Sequence, residues 1–288
     1  MKTGRLIVQP TGGLANRIRV LAYAKHVTDL LKAEWRCLWT VNSELYAPFD
    51  TLFATNEVVV ENVYGKQRQI YKRKRCWKNI PAYIWLKLNG VDMWLSYNQV
   101  ADMTSTGTPE ARKELTLRIE QALKEGKTVY LATGEYMGEY TDISFLEPKR
   151  EIKQKVNEAL SVFDSGHSYG LHIRRTDNTW AIEHSPIELF ERKIEEIIQK
   201  DSKAKFYLAT DDLKTANLLR ASYEDHIIYR DKELSRTSEN GIQEAVVDMW
   251  ILGNMDEIYG SFWSSFSEVA GWIHHKPVNA LYEEGKAK

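Results

Sequence analysis

Features that mark several specialised classes of protein are scarce in this sequence of 288 residues. There are two cysteines, Cys37 and Cys76, which is too few for the disulfide framework of a small secreted domain. Proline and glycine are sparse while aromatic residues make up 11% of the chain, and this composition argues against a disordered protein. No apolar run approaches the roughly 20 residues that a membrane-spanning helix needs. We therefore expect a soluble globular protein.

Neither sign of charge dominates the chain. The 39 basic and 40 acidic residues give a formal net charge of −1, which argues against nucleic acid as a partner because such proteins need a strongly basic surface. No secretory apolar segment follows Met1, so we expect reduced thiols and a cytoplasmic protein. The length allows one large domain or two of ordinary size, with a core that needs no disulfide or structural metal.

Short apolar runs alternate with helical patterns along most of the chain. Strands are predicted at residues 5–9, 36–41, 57–61, 128–132, 169–173, 205–209, 226–229 and 257–260. Helices are predicted at residues 14–32, 110–125, 151–163, 186–200, 215–223, 241–254 and 268–275. The alternation predicts parallel sheets in two α/β domains, residues 1–150 and 151–288, with a cleft between them. Ligands of such sheets bind beyond the carboxyl ends of the strands.

A glycine turn with Gly12 and Gly13 follows the first predicted strand and opens into a helix that carries Asn16. Glycines let the backbone approach a phosphate closely, and a helix N-terminus offers free N–H groups. The turn therefore fits a phosphate site, and a plain turn is the alternative interpretation.

Two adjacent arginines, Arg174 and Arg175, end the predicted strand at residues 169–173, with His172 before them and Asp177 after them. Guanidinium groups bind phosphate oxygens in a bidentate way and keep their charge when partly buried. A nucleoside diphosphate leaving group needs such stabilisation. The pattern indicates a diphosphate site, and the alternative is a structural ion pair between one arginine and Asp177.

Polar residues also follow two later strands. Asp211 and Asp212 come after the strand at residues 205–209, and at least one of them is expected to cap the next helix. The two are adjacent rather than spaced as Asp-x-Asp, so they do not indicate a bridging metal. Ser264 and Ser265 follow the strand at residues 257–260, where hydroxyls cap a helix or bind phosphate, and capping is the simpler interpretation.

Together these segments resemble the fucosyltransferases that use GDP-fucose. Residues 172–177 look like the His-x-Arg-Arg-x-Asp motif of the α-1,6-fucosyltransferases and the rhizobial nodulation fucosyltransferases, and residues 186–188 and 207–212 match the same type. The serine run at residues 264–267 and the glycine turn look more like the α-1,2-fucosyltransferases. The resemblance is strong over residues 165–275 and thin over residues 30–150.

The resemblance implies a GT-B fold, in which two Rossmann-like domains face a cleft. The N-terminal domain would bind the acceptor and the C-terminal domain the GDP-sugar. It also implies an inverting, metal-independent transfer of L-fucose from GDP-fucose to a hydroxyl of an oligosaccharide or glycolipid, with no other cofactor. The alternatives are the same fold with another GDP-sugar donor, or an inactive module that only binds a nucleotide sugar.

The resemblance also implies roles for single residues. Arg174 and Arg175 would hold the diphosphate, with Arg175 as the main pyrophosphate ligand, and His172 and Asp177 would brace their loop. The other residues implied in donor binding are Asp211, Asp248 at the guanine or ribose, Ser264 and Ser265 at the phosphates, and Asn16 with Gly13 reaching from the opposite domain.

Two departures from the α-1,6 pattern affect the choice of general base. Asn178 stands where those enzymes have a lysine, and the loop before Pro186 is one residue shorter. An inverting transfer needs one carboxylate within hydrogen-bond reach of the acceptor hydroxyl. Glu183 is the loop carboxylate that matches best, and Asp177 is the other candidate, although we expect an arginine to hold it.

Two further features have alternative interpretations. Residues 66–78, from Lys66 to Lys78, carry seven basic residues in thirteen. This segment is expected either to dock peripherally on anionic lipid or an acidic glycan, or to be a solvated loop. Four tryptophans, namely Trp77, Trp85, Trp94 and Trp180, are expected either to stack on sugar rings or to pack in the core. Trp180 stands out because it follows the arginines.

Overall fold

The structure is a computed structural model that describes residues 3–64, 80–163 and 167–283. The chain divides into two compact units. Unit 1 comprises Met1–Glu147 and Arg236–Glu239, and unit 2 comprises Pro148–Ser235 and Asn240–Lys288. The basic segment at residues 66–78, with Cys76 and Trp77, lies outside the described residues.

The sheet of unit 1 has five parallel strands in the order β4-β2-β1-β6-β5. The strands in the first 148 residues are β1 (Arg5–Pro10), β2 (Glu34–Val41), β3 (Phe53–Ala54), β4 (Val59–Tyr64), β5 (Met93–Leu95), β6 (Thr128–Thr133) and β7 (Glu147–Pro148). The helices are α1 (Leu14–Leu31), α2 (Phe49–Leu52), α3 (Ile80–Leu88), α4 (Tyr97–Thr104) and α5 (Pro109–Lys124).

The central strands of unit 1 are apolar because they are buried on both faces. Every residue of β6 is buried, and so is every residue of β1 after Arg5. Such continuous apolar runs are typical of parallel strands covered by helices on both sides. The strand predicted at residues 57–61 lies at Val59–Tyr64, and β5 falls in a stretch for which the sequence predicts no element.

The sheet of unit 2 also has five parallel strands, in the order β10-β9-β8-β11-β12. Its strands are β8 (Ser168–Ile173), β9 (Lys205–Thr210), β10 (Ile227–Ile228), β11 (Glu257–Ser261) and β12 (Val278–Leu281). Its helices are α6 (Arg150–Leu160), α7 (Thr179–His184), α8 (Ile187–Lys200), α9 (Leu213–Ser222), α10 (Glu239–Asn254) and α11 (Ser265–Trp272).

Helices enclose both faces of the unit 2 sheet. On α8, Phe190, Ile194 and Ile197 recur at helical spacing and join one core cluster with the strand residues Leu171 and Phe206. On α10, a run of apolar residues is buried, and a Cβ at Gly170 of β8 would lie 2.9 Å from the side chain of Leu252. Side chains within the strands therefore pack in the core, and the residues just beyond the strand ends are available to bind a ligand.

The predicted class, an α/β protein with parallel sheets and crossover helices, is confirmed. The main difference in unit 2 is β12, for which the sequence analysis predicts no strand. The C-terminal helix also begins at Ser265, earlier than the predicted start at residue 268.

Candidate functional site

The order of strands in unit 2 creates a switch point between β8 and β11. From β8 the chain continues to β9 and β10 on one side of the sheet, whereas β11 and β12 lie on the other side. Loops that leave neighbouring strands in opposite directions open a crevice at the carboxyl edge of the sheet, where ligands of open α/β sheets bind. The two loops in question are residues 174–178 after β8 and residues 262–264 after β11.

A single carboxylate shapes the loop after β8. The backbone N–H of Arg175 donates to Oδ1 of Asp211 at 2.7 Å, and the hydroxyl of Thr176 donates to Oδ2 at 2.7 Å. The Nε of Arg174 lies 3.1 Å from the same Oδ2. Asp211 was predicted to bind the donor, and in this structure its carboxylate holds the arginine loop in place.

Arg174 is neutralised by two carboxylates. Its guanidinium donates to Asp177 as well as pairing with Asp211, and the backbone N–H of Arg174 donates to the hydroxyl of Ser261 at 3.0 Å. The expected ion pair between Asp177 and an arginine is therefore present. Arg174 fits the interpretation of a structural ion pair, which the sequence left open for one of the two arginines.

Arg175 has no such compensation. Its guanidinium donates to the backbone carbonyls of Ser185, at 2.7 Å, and of Arg174, at 3.4 Å, and both acceptors are neutral. In the described part of the chain, no carboxylate forms a salt bridge with it. Burial lowers the pKa of Arg175, while the more distant charges of Glu188 and Asp211 oppose that shift. An arginine remains charged under these conditions, so Arg175 offers an unpaired cation to an anionic ligand.

His172 is a neutral side chain that supports the start of α11. It is buried on β8, and burial together with the charge of Arg174 lowers its pKa to about 3. Its Nδ1 lies 3.3 Å from the hydroxyl of Ser264, and its ring stacks on Phe266 with centroids 4.8 Å apart. His172 was expected to brace the arginine loop. Its side chain contacts the segment after β11, and its backbone carbonyl accepts from the hydroxyl of Ser261, which itself accepts from the N–H of Arg174.

The predicted hydroxyl residues lie at the N-terminus of α11. Ser264 occupies the N-cap position, but its hydroxyl faces His172 and makes no capping bond, so capping is wrong for this side chain. Ser265 is the first residue of the helix and is partly buried. The strand and helix approach closely here, because a Cβ at Gly260 would lie 2.5 Å from the hydroxyl of Ser267. The free N–H groups of this first turn add a partial positive charge beside the two serines.

Asp212 and Asp211 have separate roles. Oδ2 of Asp212 accepts hydrogen bonds from the backbone N–H of Thr215 at 2.8 Å and from its hydroxyl at 2.7 Å, so Asp212 is the N-cap of α9. The prediction that at least one of the two aspartates caps the helix is confirmed. These hydrogen bonds lower the pKa of Asp212 in spite of its partial burial.

Asp248 belongs to a buried ionic cluster. Its Oδ1 accepts a hydrogen bond from the hydroxyl of Tyr207 at 2.7 Å, and its Oδ2 lies 2.8 Å from the Nζ of Lys232. One turn earlier on α10, Glu244 pairs with Arg230 at 2.7 Å and with Lys155 at 2.5 Å. Asp248 was predicted to contact guanine or ribose, and in this structure both of its oxygens have partners within the protein.

The two candidate bases differ in their surroundings. Asp177 is held by Arg174, whereas Glu183 is exposed on α7, the short helix after the arginine loop. Asn178, the residue that departs from the family pattern, caps α7 by accepting from the N–H of Ala181 at 3.1 Å. The asparagine at this position therefore serves as the N-cap of a helix.

The glycine turn of unit 1 is supported by a buried arginine. Gly12 has a positive φ of 81°, and its carbonyl accepts from the Nε of Arg17 at 2.8 Å. Burial lowers the pKa of Arg17 to about 10. The N–H of Gly12 donates to Oε2 of Glu44 at 3.2 Å. Gly13 is the N-cap of α1, and the predicted residue Asn16 lies in the first turn of that helix.

Sequence reasoning missed two residues near the arginine loop of unit 2. Trp263 follows β11 and is 76% exposed, and Ser185 is fully buried with its hydroxyl bonded to two backbone groups. The pair Phe262-Trp263 directly after a predicted strand was the available signal for the first. No sequence signal marks Ser185.

In residues 3–64, 80–163 and 167–283, no group of three or more His, Cys, Asp or Glu side chains is arranged to hold a metal ion. No helix in those same ranges is both long enough and apolar enough to cross a membrane.

No protein-family model matches the chain, and no curated protein matches its sequence. Solved structures do match. Fucosyltransferase NodZ from Bradyrhizobium matches over 94% of this chain and 92% of that chain, with a TM-score of 0.60 and 17% identity. POFUT1 in complex with GDP-fucose matches over 98% of both chains, with a TM-score of 0.56 and 13% identity. A mutant of Arabidopsis thaliana FUT1 in complex with GDP matches over 99% of this chain and 72% of that chain, with a TM-score of 0.63 and 14% identity. The chain is therefore similar in fold to these fucosyltransferases, and the predicted GT-B class is confirmed.

Proposed function

We propose that this protein is a glycosyltransferase that moves L-fucose from GDP-fucose to a hydroxyl of a glycan acceptor. The observation that carries the proposal is the state of Arg175, a partly buried cation at the switch point whose guanidinium, among the residues that the structure describes, donates to two neutral carbonyls and forms no salt bridge. A diphosphate is an anion that would bind to such a cationic site. The similarity in fold to structures that hold GDP-fucose or GDP supports the same donor.

The proposed reaction is an inverting displacement. The bond between the anomeric carbon of fucose and the β-phosphate oxygen breaks, and its electron pair leaves with GDP. The acceptor oxygen forms the new bond on the opposite face of the sugar and gives its proton to a carboxylate. Arg175 and the N-terminal turn of α11 would stabilise the charge that develops on the diphosphate. Because these groups supply positive charge, we propose that the transfer needs no metal.

Glu183 is the proposed general base. Its side chain is exposed on α7, whereas the carboxylate of Asp177 is already bound to the guanidinium of Arg174. If Glu183→Gln lowers kcat by 100-fold or more while Asp177→Asn lowers it less, the assignment to Glu183 is supported. The reverse order would assign the base to Asp177, and no loss in either variant would mean that neither residue is the base.

We further propose that unit 2 binds the donor and unit 1 the acceptor. The acceptor would be an oligosaccharide or a glycolipid. For a glycolipid acceptor, the basic segment from Lys66 to Lys78 would provide peripheral contact with anionic lipid at a cytoplasmic membrane surface.

The decisive experiment is calorimetric titration with GDP, GDP-fucose, GDP-mannose and UDP-glucose in the presence of EDTA. We expect micromolar binding of GDP and GDP-fucose and no binding of UDP-glucose. Arg175→Ala should weaken GDP binding at least tenfold and abolish transfer while the far-ultraviolet circular dichroism stays unchanged. Tighter binding of GDP-mannose than of GDP-fucose would favour another GDP-sugar donor. Binding of GDP without turnover of any donor would favour a nucleotide-sugar-binding module, and no binding of any guanine nucleotide would contradict the proposal.

A further inference from the structure

A cluster of aromatic side chains stands beside the arginine loop of unit 2. It consists of Trp180, His184, Phe262, Trp263 and Tyr282, and we call it the aromatic cluster. His184 stacks between Trp180, at 4.9 Å, and Phe262, at 5.2 Å. Trp180 is 51% exposed, Trp263 is 76% exposed and Tyr282 is 40% exposed. Exposed apolar groups concentrated at one place mark a binding surface more often than single exposed residues do.

The aromatic cluster is tied to the arginine loop by hydrogen bonds. The hydroxyl of Ser185 accepts from the N–H of Phe262 at 2.7 Å and donates to the carbonyl of Leu281, while the carbonyl of Ser185 accepts from Arg175. The side chain of Asn178 donates to the carbonyl of Trp263 at 3.2 Å. The exposed rings are therefore held at a set position relative to Arg175.

The backbone of Trp263 is in an unfavourable conformation. Its φ is +54°, a left-handed value that an L-residue with a bulky side chain rarely adopts. The indole remains 76% exposed although it contacts Trp180 and Phe262, so burial of the indole does not account for the strain. Strain of this kind concentrates at ligand-binding sites, where a contact in the bound state explains it.

The position of the aromatic cluster along the sheet indicates which part of a ligand would meet it. Its members follow β8, β11 and β12, whereas the ionic cluster around Asp248 lies against β9 and the loop after β10. Arg175 follows β8, the strand that lies between β9 and β11. A nucleotide sugar with its diphosphate at Arg175 and its nucleoside toward β9 and β10 would direct its sugar toward β11 and β12, so an acceptor ring bound next to that sugar would meet the exposed indoles.

The shape of the exposed rings suits a sugar. The ring centroids of Trp180 and Trp263 are 6.2 Å apart and their planes are inclined by 37°. A puckered pyranose presents axial C–H groups to aromatic faces, and two inclined faces contact such a chair better than they contact a flat base. The electron-rich faces of the indoles attract the weakly positive C–H groups.

We propose that Trp180 and Trp263 form a platform that binds a pyranose ring of the glycan acceptor next to the transferred fucose. This inference rests on the proposed function, and it names a part of the acceptor site that lies on unit 2. The two tryptophans are positioning residues, because they would orient the acceptor hydroxyl without taking part in proton transfer.

The test uses saturation-transfer NMR on the whole protein loaded with GDP. The probes are cellotetraose, chitotetraose, N-acetyllactosamine and mannotriose. We expect binding of at least one probe by the unmodified protein and about tenfold weaker binding in Trp180→Ala and in Trp263→Ala. Trp180→Phe and Trp263→Phe keep an aromatic face and should stay within threefold of the unmodified protein. Leu218→Ala removes an exposed apolar side chain from α9 in the same unit and should have no effect.

The GDP affinity of each variant, measured by calorimetry, separates the possible outcomes. Unchanged GDP affinity with weakened oligosaccharide binding supports the platform. A tenfold loss of GDP affinity in the alanine variants would overturn it, because the rings would then contact the nucleotide. Binding of GDP but of none of the four probes by the unmodified protein would also overturn it. Failure of the unmodified protein to bind GDP would contradict the proposed function itself.

Discussion

The Nε of Arg174 lies 3.1 Å from Oδ2 of Asp211, and the backbone N–H of Arg175 donates to the other oxygen of the same carboxylate. One aspartate therefore neutralises the first arginine and aligns the second. The two adjacent arginines have different roles as a consequence: Arg174 belongs to the framework of the loop, and Arg175 presents the charge.

The first prediction compares the two arginines by the same substitution. Arg175→Lys replaces a planar, bidentate phosphate ligand with a point charge, and we expect kcat/KM for transfer to fall by about 100-fold. Arg174→Lys keeps a cation between two carboxylates and should lower kcat/KM by less than about tenfold. Steady-state kinetics with varied GDP-fucose would measure both. Equal losses would contradict the division of roles.

The second prediction separates the two neighbouring aspartates. Asp211→Ala removes the acceptor for three groups of the arginine loop, so GDP affinity should fall about tenfold or more. Asp212→Ala removes the N-cap of α9 and should lower the free energy of unfolding by about 1 kcal/mol. It should leave GDP affinity within twofold. Urea denaturation and calorimetry on both variants would test this, and a nucleotide-binding defect in Asp212→Ala would contradict it.

The third prediction concerns the stability of the protein in mild acid. The pKa of His172 is lowered by burial to about 3, below the value of about 6.5 in the unfolded chain. The unfolded state therefore binds more protons between these values, and folding stability falls as the pH drops below 6.5. At pH 5 the loss attributable to His172 is about 2 kcal/mol.

A variant without the imidazole isolates this effect. His172→Phe keeps a ring against Phe266 and should lose about 2 kcal/mol less than the unmodified protein between pH 7.5 and pH 5. The other ionisable groups are common to both proteins, and their contributions cancel in the difference. Urea denaturation at the two pH values supplies the measurement, and parallel losses would rule out His172 as the source.

The fourth prediction tests the strained backbone at Trp263. Glycine adopts a positive φ without steric cost, whereas alanine does not. Trp263→Gly should therefore be more stable than Trp263→Ala by about 1 kcal/mol, although glycine is the more flexible residue in the unfolded chain. Thermal or urea denaturation of the pair is sufficient. A more stable alanine variant would show that the loop relaxes away from the left-handed conformation.

The sequence was informative where local patterns determine the structure. The apolar strand at residues 169–173 and the amphipathic pattern of α8 predicted both elements, since these depend on residues close in the chain. The cap at Asp212 was predicted for the same reason. The short strand β12 has only partly buried or exposed residues and depends on pairing with β11, so no apolar run marked it.

The roles of single polar side chains were harder to predict. Asp211 and Asp212 are adjacent and identical in type, and only the fold turns one toward the arginine loop and the other toward Thr215. Asp248 bonds to Tyr207, which lies on a strand 41 residues away in the chain, and a single sequence does not reveal such a partner. Motif resemblance pointed to the segment after β8 as the candidate site, but tertiary contacts decide which member of the motif braces the loop and which presents the charge.

Ser185 joins segments at the ends of three different strands through its hydroxyl and its backbone carbonyl. It links the N–H of Phe262 after β11 to the carbonyl of Leu281 at the end of β12, and its own backbone carbonyl receives Arg175 after β8. Opening any one of these segments leaves a buried polar group unpaired. The three should therefore open together, and their amide protons should exchange with solvent as one cooperative unit. An anion bound at Arg175 would slow exchange at the amide of Phe262, even though that amide bonds to Ser185 and not to the ligand.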